Sequence, residues 1–167
     1  MNPATTEFVR QRFTEYYRKA MLVSPSSLEQ REWGFVLFNP GATGMRMRRH
    51  IAFTDRAELF DYIKNLVPSH IYYSTAYYEK PDAPTMAEKG WCGADLIFDL
   101  DADHLMRGPY DQMLARVKEE TEKLLAILIE EFGMDRKAIA LVFSGGRGYH
   151  VHVRDERFLP LSSPERR

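Results

Sequence analysis

Apolar and polar positions recur with two different periods along this chain, and each change of period marks the end of one element and the start of another. Phe8, Val9, Phe13, Tyr16, Tyr17 and Ala20 repeat at helical spacing, with Arg10, Arg12, Arg18 and Lys19 between them. This predicts a packing helix capped by Thr5 or Thr6. Ser24-Pro25-Ser26-Ser27 breaks it, and Trp33 to Phe38 follows as an apolar, aromatic and β-branched run that predicts a strand. Asn39 to Gly44 is dense in turn residues, so Met45 to Phe53 is expected to return as the second strand of a hairpin. Strict alternation there puts Arg46 and Arg48 on one face and Arg49 on the other.

Thr54-Asp55 is a cap signal for a helix ending near Leu66, with Ala57, Leu59, Phe60, Ile63 and Leu66 as its apolar stripe and Pro68 as its terminator. His70 to Tyr78, rich in tyrosine, predicts another strand, and Glu79 to Lys89, with Pro81 and Pro84, predicts a connector long enough to move. The clearest helical pattern runs from about Asp111 to Phe132. Its apolar positions are Met113, Leu114, Val117, Leu124, Leu125, Leu128 and Phe132, Glu119 stands four residues before Lys123, and Gly133 closes it. There is no internal repeat and no low-complexity tract.

Two segments break the pattern in a way that carries chemistry. The first is Leu96-Ile97-Phe98-Asp99-Leu100-Asp101, an apolar run holding two acids. As a strand, it puts Ile97, Asp99 and Asp101 on one face and Leu96, Phe98 and Leu100 on the other. Side by side at the end of a buried strand, two carboxylates repel each other and lose hydration, so a positive charge is expected between them. A hard divalent cation, Mg²⁺ or Mn²⁺, is the economical candidate, because it takes one or two carboxylates and completes its shell with water and phosphate. The competing interpretation is a strand end in which Asp101 caps a turn and Asp99 pairs with an arginine.

The second segment is Ile139 to Phe143, then Ser144-Gly145-Gly146-Arg147-Gly148, then Tyr149-His150-Val151-His152-Val153. Strand, glycine-rich turn, strand is the natural assignment, with His150 and His152 on one face and Tyr149, Val151 and Val153 on the other. A glycine turn exposes successive N–H groups and lets a ligand approach, while Ser144 and Arg147 supply a hydroxyl and a bidentate fork for phosphate oxygens. These features suit a triphosphate cradle. An ordinary hairpin whose histidines pair within the sheet, or a zinc site built from His150, His152 and the aspartates, fits the same residues.

Composition narrows the setting. With 167 residues and a hydrophobic fraction of 44%, one domain with a real core is expected. A formal net charge of -1 leaves nucleic-acid contact to local clusters such as Arg46, Arg48, Arg49 and His50. Phosphate contact and protection of a solvated edge strand explain that cluster equally well. The single cysteine, Cys92, precludes an internal disulfide framework and any multi-cysteine zinc site. No secretory leader and no long apolar span occur, so a cytosolic protein without membrane contact is expected.

Taken together, the two segments resemble the first two signature motifs of the catalytic (small) subunit of archaeo-eukaryotic DNA primase, of archaeal type. Phe98-Asp99-Leu100-Asp101-Ala102-Asp103-His104 and Phe143 to Val153 occur in the family's order, separated by one long helix. Arg31 to Phe35, Ala52-Phe53 and Tyr72 to Tyr78 extend the resemblance over nearly the whole chain. The resemblance implies that Asp99 and Asp101 are metal-binding catalytic carboxylates and that Ser144, Arg147 and His150 contact the incoming nucleotide's phosphates. More weakly, it implies a nucleotide-binding part for Arg49. It further implies an α/β (α+β) fold with mixed sheets, in which a β-α-β-β unit carries both motifs. The implied function is template-directed synthesis of short primers from nucleoside triphosphates on single-stranded DNA, with Mg²⁺ or Mn²⁺ and alongside a primase large subunit.

The family's third carboxylate lies on a later strand than any here, so residues 1–167 are expected to form a single catalytic domain that is incomplete at its C-terminal end. Asp155 follows the histidine strand too closely to be that residue. The zinc knuckle of many archaeal members cannot be built with Cys92 alone, and no structural zinc is expected. A nucleotide-binding or regulatory module that keeps the pocket without transfer, and a metal-dependent phosphohydrolase, are the alternatives.

Overall fold

The computed structural model describes residues 2–38, 46–102 and 107–166, and its internal contacts fall into two compact units, Met1–Cys92 and Gly93–Arg167. The expected hairpin turn at 39–44 and the motif residues Asp103 and His104 lie outside the described residues. Among the described residues, no helix is long and apolar enough to cross a membrane.

The first unit opens with helix α1 (Pro3–Lys19). Its cap is Asn2, not Thr5 or Thr6: the Asn2 side chain accepts from the Ala4 amide at 2.9 Å, and Pro3 occupies the first turn, where its missing N–H costs nothing. Thr6 is buried and instead donates its hydroxyl to the Asn2 carbonyl. Strands β1 (Trp33–Leu37), β2 (Met47–Ile51) and β3 (Pro68–Tyr73) form an antiparallel sheet in the order β2-β1-β3. Helix α2 (Arg56–Leu66) starts as its cap signal predicts, with Asp55 accepting from the Glu58 amide and Glu58 reaching back to the Thr54 amide. Trp33, Phe35, Phe53, Leu59 and Ile63 form the core with Tyr17 and Leu28. Several of its aromatic pairs meet edge to face, Trp33 and Phe53 at 5.9 Å among them, while Trp33 and Phe35 stack at 6.3 Å.

Three further expectations change in this unit. The β1/β2 register shifts from Trp33↔Ile51 to Phe35↔Arg48, so Gly34 lies opposite two residues, Arg49 and His50. His50 adopts a left-handed φ of 59° there, and the bulge interrupts the alternation assumed for the arginines. The tyrosine-rich segment is two strands, β3 and β4 (Ala76–Tyr78), because Ser74 is drawn aside: its hydroxyl accepts from the Glu32 amide and donates to the Ala76 carbonyl. The connector contains a one-turn helix, α3 (Met86–Lys89), capped by Thr85 and tied back by Glu79 N to Gly90 O and Lys80 N to Lys89 O, both at 2.9 Å. It leads into β5 (Trp91–Ala94), which pairs with β4.

In the second unit, β6 (Leu96–Asp101), β7 (Ile139–Phe143) and β8 (Gly148–Val153) form a sheet in the order β6-β8-β7. Helix α4 (Tyr110–Ala126) joins β6 to β7, and the expected β-α-β-β unit is present with its last strand inserted between the first two. Both pairings are antiparallel, so β6 and β7 run in the same direction on either side of β8. Val151 and Val153 on the central strand are almost fully buried, joined by Leu96, Phe98, Leu100, Leu124 and Leu128. Met113, Val117 and Ala102 continue the core along α4. The helix ends in a π turn (Ile127–Glu131), and Gly133, at φ 61°, turns the chain out of it. Arg166 fastens the last described segment to this unit by donating to the carbonyls of Ala94, Asp95, Phe158, Leu159 and Leu161 at 2.7–3.1 Å.

Candidate active site

The β6/β8 register builds the site. Asp99 lies directly opposite His150, Asp101 opposite Gly148 and Ile97 opposite His152. Directly opposed residues in an antiparallel pair share a face, so the carboxylates and the imidazoles project on one side of the sheet and the valine core fills the other. His150 Nε2 stands 3.4 Å from Asp99 Oδ1, and the two imidazole rings are 6.3 Å apart.

Burial corrects one step of the sequence argument. The Asp99 side chain is 72% exposed and Asp101 is only partly buried, so these carboxylates are not desolvated and nothing in the fold alone forces a cation between them. Among the described residues, the buried acids are elsewhere, at Asp95 and Glu32. Among the described residues, no cluster of three or more His, Cys, Asp or Glu is arranged to hold a metal ion. What the geometry offers is two carboxylates on one open face, enough for a hard cation whose remaining positions are filled by water and phosphate oxygens.

At the β7/β8 turn, the Ser144 hydroxyl accepts from the amides of Gly146 (3.3 Å) and Gly148 (3.2 Å), and the Ser144 amide donates to the Gly148 carbonyl. Ser144 therefore shapes the turn, and its hydroxyl proton is the part left to offer a ligand. The glycines differ. Gly145 needs its φ of 79°, a β-carbon on Gly148 would collide with the Leu100 carbonyl of β6, and a β-carbon on Gly146 would meet only Ser144 Oγ at 3.7 Å. Gly145 and Gly146 both leave open space beside the turn, and of the two only Gly145 is also required by its backbone conformation. The Arg147 carbonyl accepts from the Ala102 amide at 3.1 Å, joining the turn to the chain just past Asp101. Arg147 is exposed.

Thus Asp99, Asp101, Ser144, Arg147 and His150 are brought together within the second unit. Arg49 belongs to the first unit, where its guanidinium donates to Glu32 at 3.1 and 3.4 Å. Glu32 also accepts from the His50 amide at 3.1 Å and lies 3.4 Å from Lys89 Nζ. Burial alone would raise the Glu32 pKa, but the His50 amide, the Arg49 fork and the Lys89 charge outweigh it and hold the carboxyl below its usual range. Asp155 is engaged by Arg157 at 2.7 Å, whose bonds and charge lower its pKa. Glu32, Lys89 and Tyr110 were not singled out by sequence; only the rarity of acids and lysines within apolar surroundings could have marked the first two.

An open face with two carboxylates, beside a glycine turn with serine, arginine and histidine, offers donors of the kind that nucleotide phosphates and their counter-cation require. Residues 98–167 match the family model described as DNA primase small subunit. The whole chain is 82% identical over 167 residues to the DNA primase small subunit PriS of Methanoregula boonei, covering 45% of that protein. It is 60% identical to the PriS of Methanosphaerula palustris (44% of that protein) and 57% identical to that of Methanospirillum hungatei (43%). Over its full length the chain is similar to DNA primase small subunits, and it spans less than half the length of these relatives.

Proposed function

We propose that this chain carries the nucleotidyl-transfer site of a DNA primase, which joins nucleoside triphosphates into a short primer on a single-stranded DNA template. The observation that carries the proposal is the β6/β8 register, which sets Asp99 against His150 and Asp101 against the end of the Ser144–Gly148 turn. Asp99 and Asp101 would hold Mg²⁺ or Mn²⁺, which supplies charge neutralisation for the triphosphate and lowers the pKa of an attacking hydroxyl. Ser144, Arg147 and His150 bind the phosphate oxygens: the hydroxyl and imidazole each donate one bond, and the guanidinium fork donates two. Because phosphoryl-type transfer depends mostly on placement and charge, these residues work by fixing the triphosphate in line rather than by unusual reactivity. Arg49, held by Glu32, is proposed as a further nucleotide contact.

Both units are proposed to belong to one catalytic domain. A large subunit and single-stranded DNA are the proposed partners, since a net charge of -1 gives this chain little affinity of its own for a polyanion. The proposed setting is the cytoplasm. Calorimetric titration with ATP and Mn²⁺, beside a primer-synthesis assay on single-stranded template, tests the proposal. Binding that depends on Mn²⁺ and is lost in Asp99→Asn supports it. Equal affinity for adenosine and ATP would refute it.

A further inference from the structure

Tyr110, the first residue of α4, donates its phenolic hydroxyl to the Gly146 carbonyl at 2.9 Å, across 36 residues of sequence. The bond joins the start of the helix that follows β6 to the middle of the glycine turn that precedes β8. The Gly146 carbonyl and the Arg147 N–H belong to one planar trans peptide, so holding the first in place fixes the direction of the second. The next peptide is held as well, because the Arg147 carbonyl accepts from the Ala102 amide at 3.1 Å. Arg147 is therefore fixed on both sides, by Tyr110 before it and Ala102 after it. The Ser144 hydroxyl engages the amides of Gly146 and Gly148, and the Tyr110 bond engages the Gly146 carbonyl between them.

Resting on the triphosphate assignment above, we propose that Tyr110 is a positioning residue for triphosphate binding: through the Gly146–Arg147 peptide it orients the Arg147 amide and the root of the Arg147 side chain toward phosphate. Tyr110 has no part in holding the core, since its side chain is half exposed. Its contribution is to order a glycine turn before the ligand arrives, which reduces the entropy lost on binding.

The test is Tyr110→Phe, which removes one oxygen and keeps the ring. Calorimetric titration of the chain with ATP and Mn²⁺ should show affinity weakened about 3- to 10-fold, the range of one net hydrogen bond. Adenosine affinity and melting temperature should stay at the parent values. In an Arg147→Ala background the same change should have a smaller effect, because only the backbone amide at 147 is then left to orient. A Tyr110→Phe variant that binds ATP like the parent, or one whose ATP affinity falls only together with its melting temperature, overturns the inference. If Arg147→Ala weakens ATP binding while Tyr110→Phe does not, the inference alone fails; if the parent does not bind ATP with Mn²⁺, the triphosphate assignment fails with it.

Discussion

Replacing Glu32 by Gln is expected to destabilise the first unit more than any change of comparable size at the candidate active site. Glu32 and Lys89 have side chains only 7% and 1% exposed and stand 3.4 Å apart. Lys89 also donates to the Pro81 carbonyl and lies 5.4 Å from the centre of the Tyr78 ring, so the pair ties the connector helix α3 to the start of β1. Removing the carboxylate charge leaves the Lys89 ammonium in a dry site with one carbonyl and one ring. Breaking a buried pair from one side costs about 3–5 kcal/mol; the two remaining contacts place this case near ~3 kcal/mol. For a chain of this size that corresponds to a melting temperature lower by roughly 6–12 °C. Thermal unfolding followed by the fluorescence of Trp33, which sits in the adjacent core, measures it. Glu32→Gln combined with Lys89→Met should recover most of the loss, because neither charge is then stranded. A single variant that melts within ~2 °C of the parent, or a double variant no more stable than the single, refutes the reasoning.

Stability should also fall with acid. The folded Glu32 pKa lies below its unfolded value of about 4.3, so the stabilisation is fully present above that value and is lost as pH falls through the folded pKa; Glu32→Gln should flatten the urea-denaturation profile below about pH 4. Asp99→Asn should leave the unfolding free energy unchanged to within about 0.5 kcal/mol, because the side chain is exposed, while weakening ATP binding in the presence of Mn²⁺. Gly146→Ala should fold normally, its β-carbon having open space, and should weaken ATP relative to adenosine in calorimetry by intruding where phosphate approaches. Gly148→Ala should do the opposite, lowering the melting temperature, since its β-carbon would strike β6.

Much of this was legible from short-range pattern. The period-two run through Asp99 and Asp101 and the strand-turn-strand around Ser144 to Gly148 are where the sequence puts them, because alternation alone decides which side chains share a face. Pairing partners were not legible. That β8 lies between β6 and β7, setting Asp99 against His150, follows from burying Val151 and Val153 on a central strand, which depends on the whole sheet. The bulge at Gly34, opposite Arg49 and His50, was invisible for the same reason: it is a property of two strands together. Burial was misjudged where hydrophobic neighbours stood in for surroundings. Asp99, inside an apolar run, is exposed at an open face, and Glu32, beside Trp33, is buried with Lys89.

Gly148 shows why fold and candidate chemistry cannot be separated in the second unit. In the observed register its Cα faces Asp101, and β6 approaches so closely that no side chain fits. This closeness carries the Ala102 amide to the Arg147 carbonyl, which places the glycine turn beside the carboxylates. A slip of one residue would turn the carboxylates toward the valine core, and any β-carbon at position 148 would push the strands apart. On the proposed function, the glycine that ends the turn would matter for phosphate binding without itself contacting phosphate. It sets the strand spacing on which the relation of Asp99 and Asp101 to Ser144, Arg147 and His150 depends.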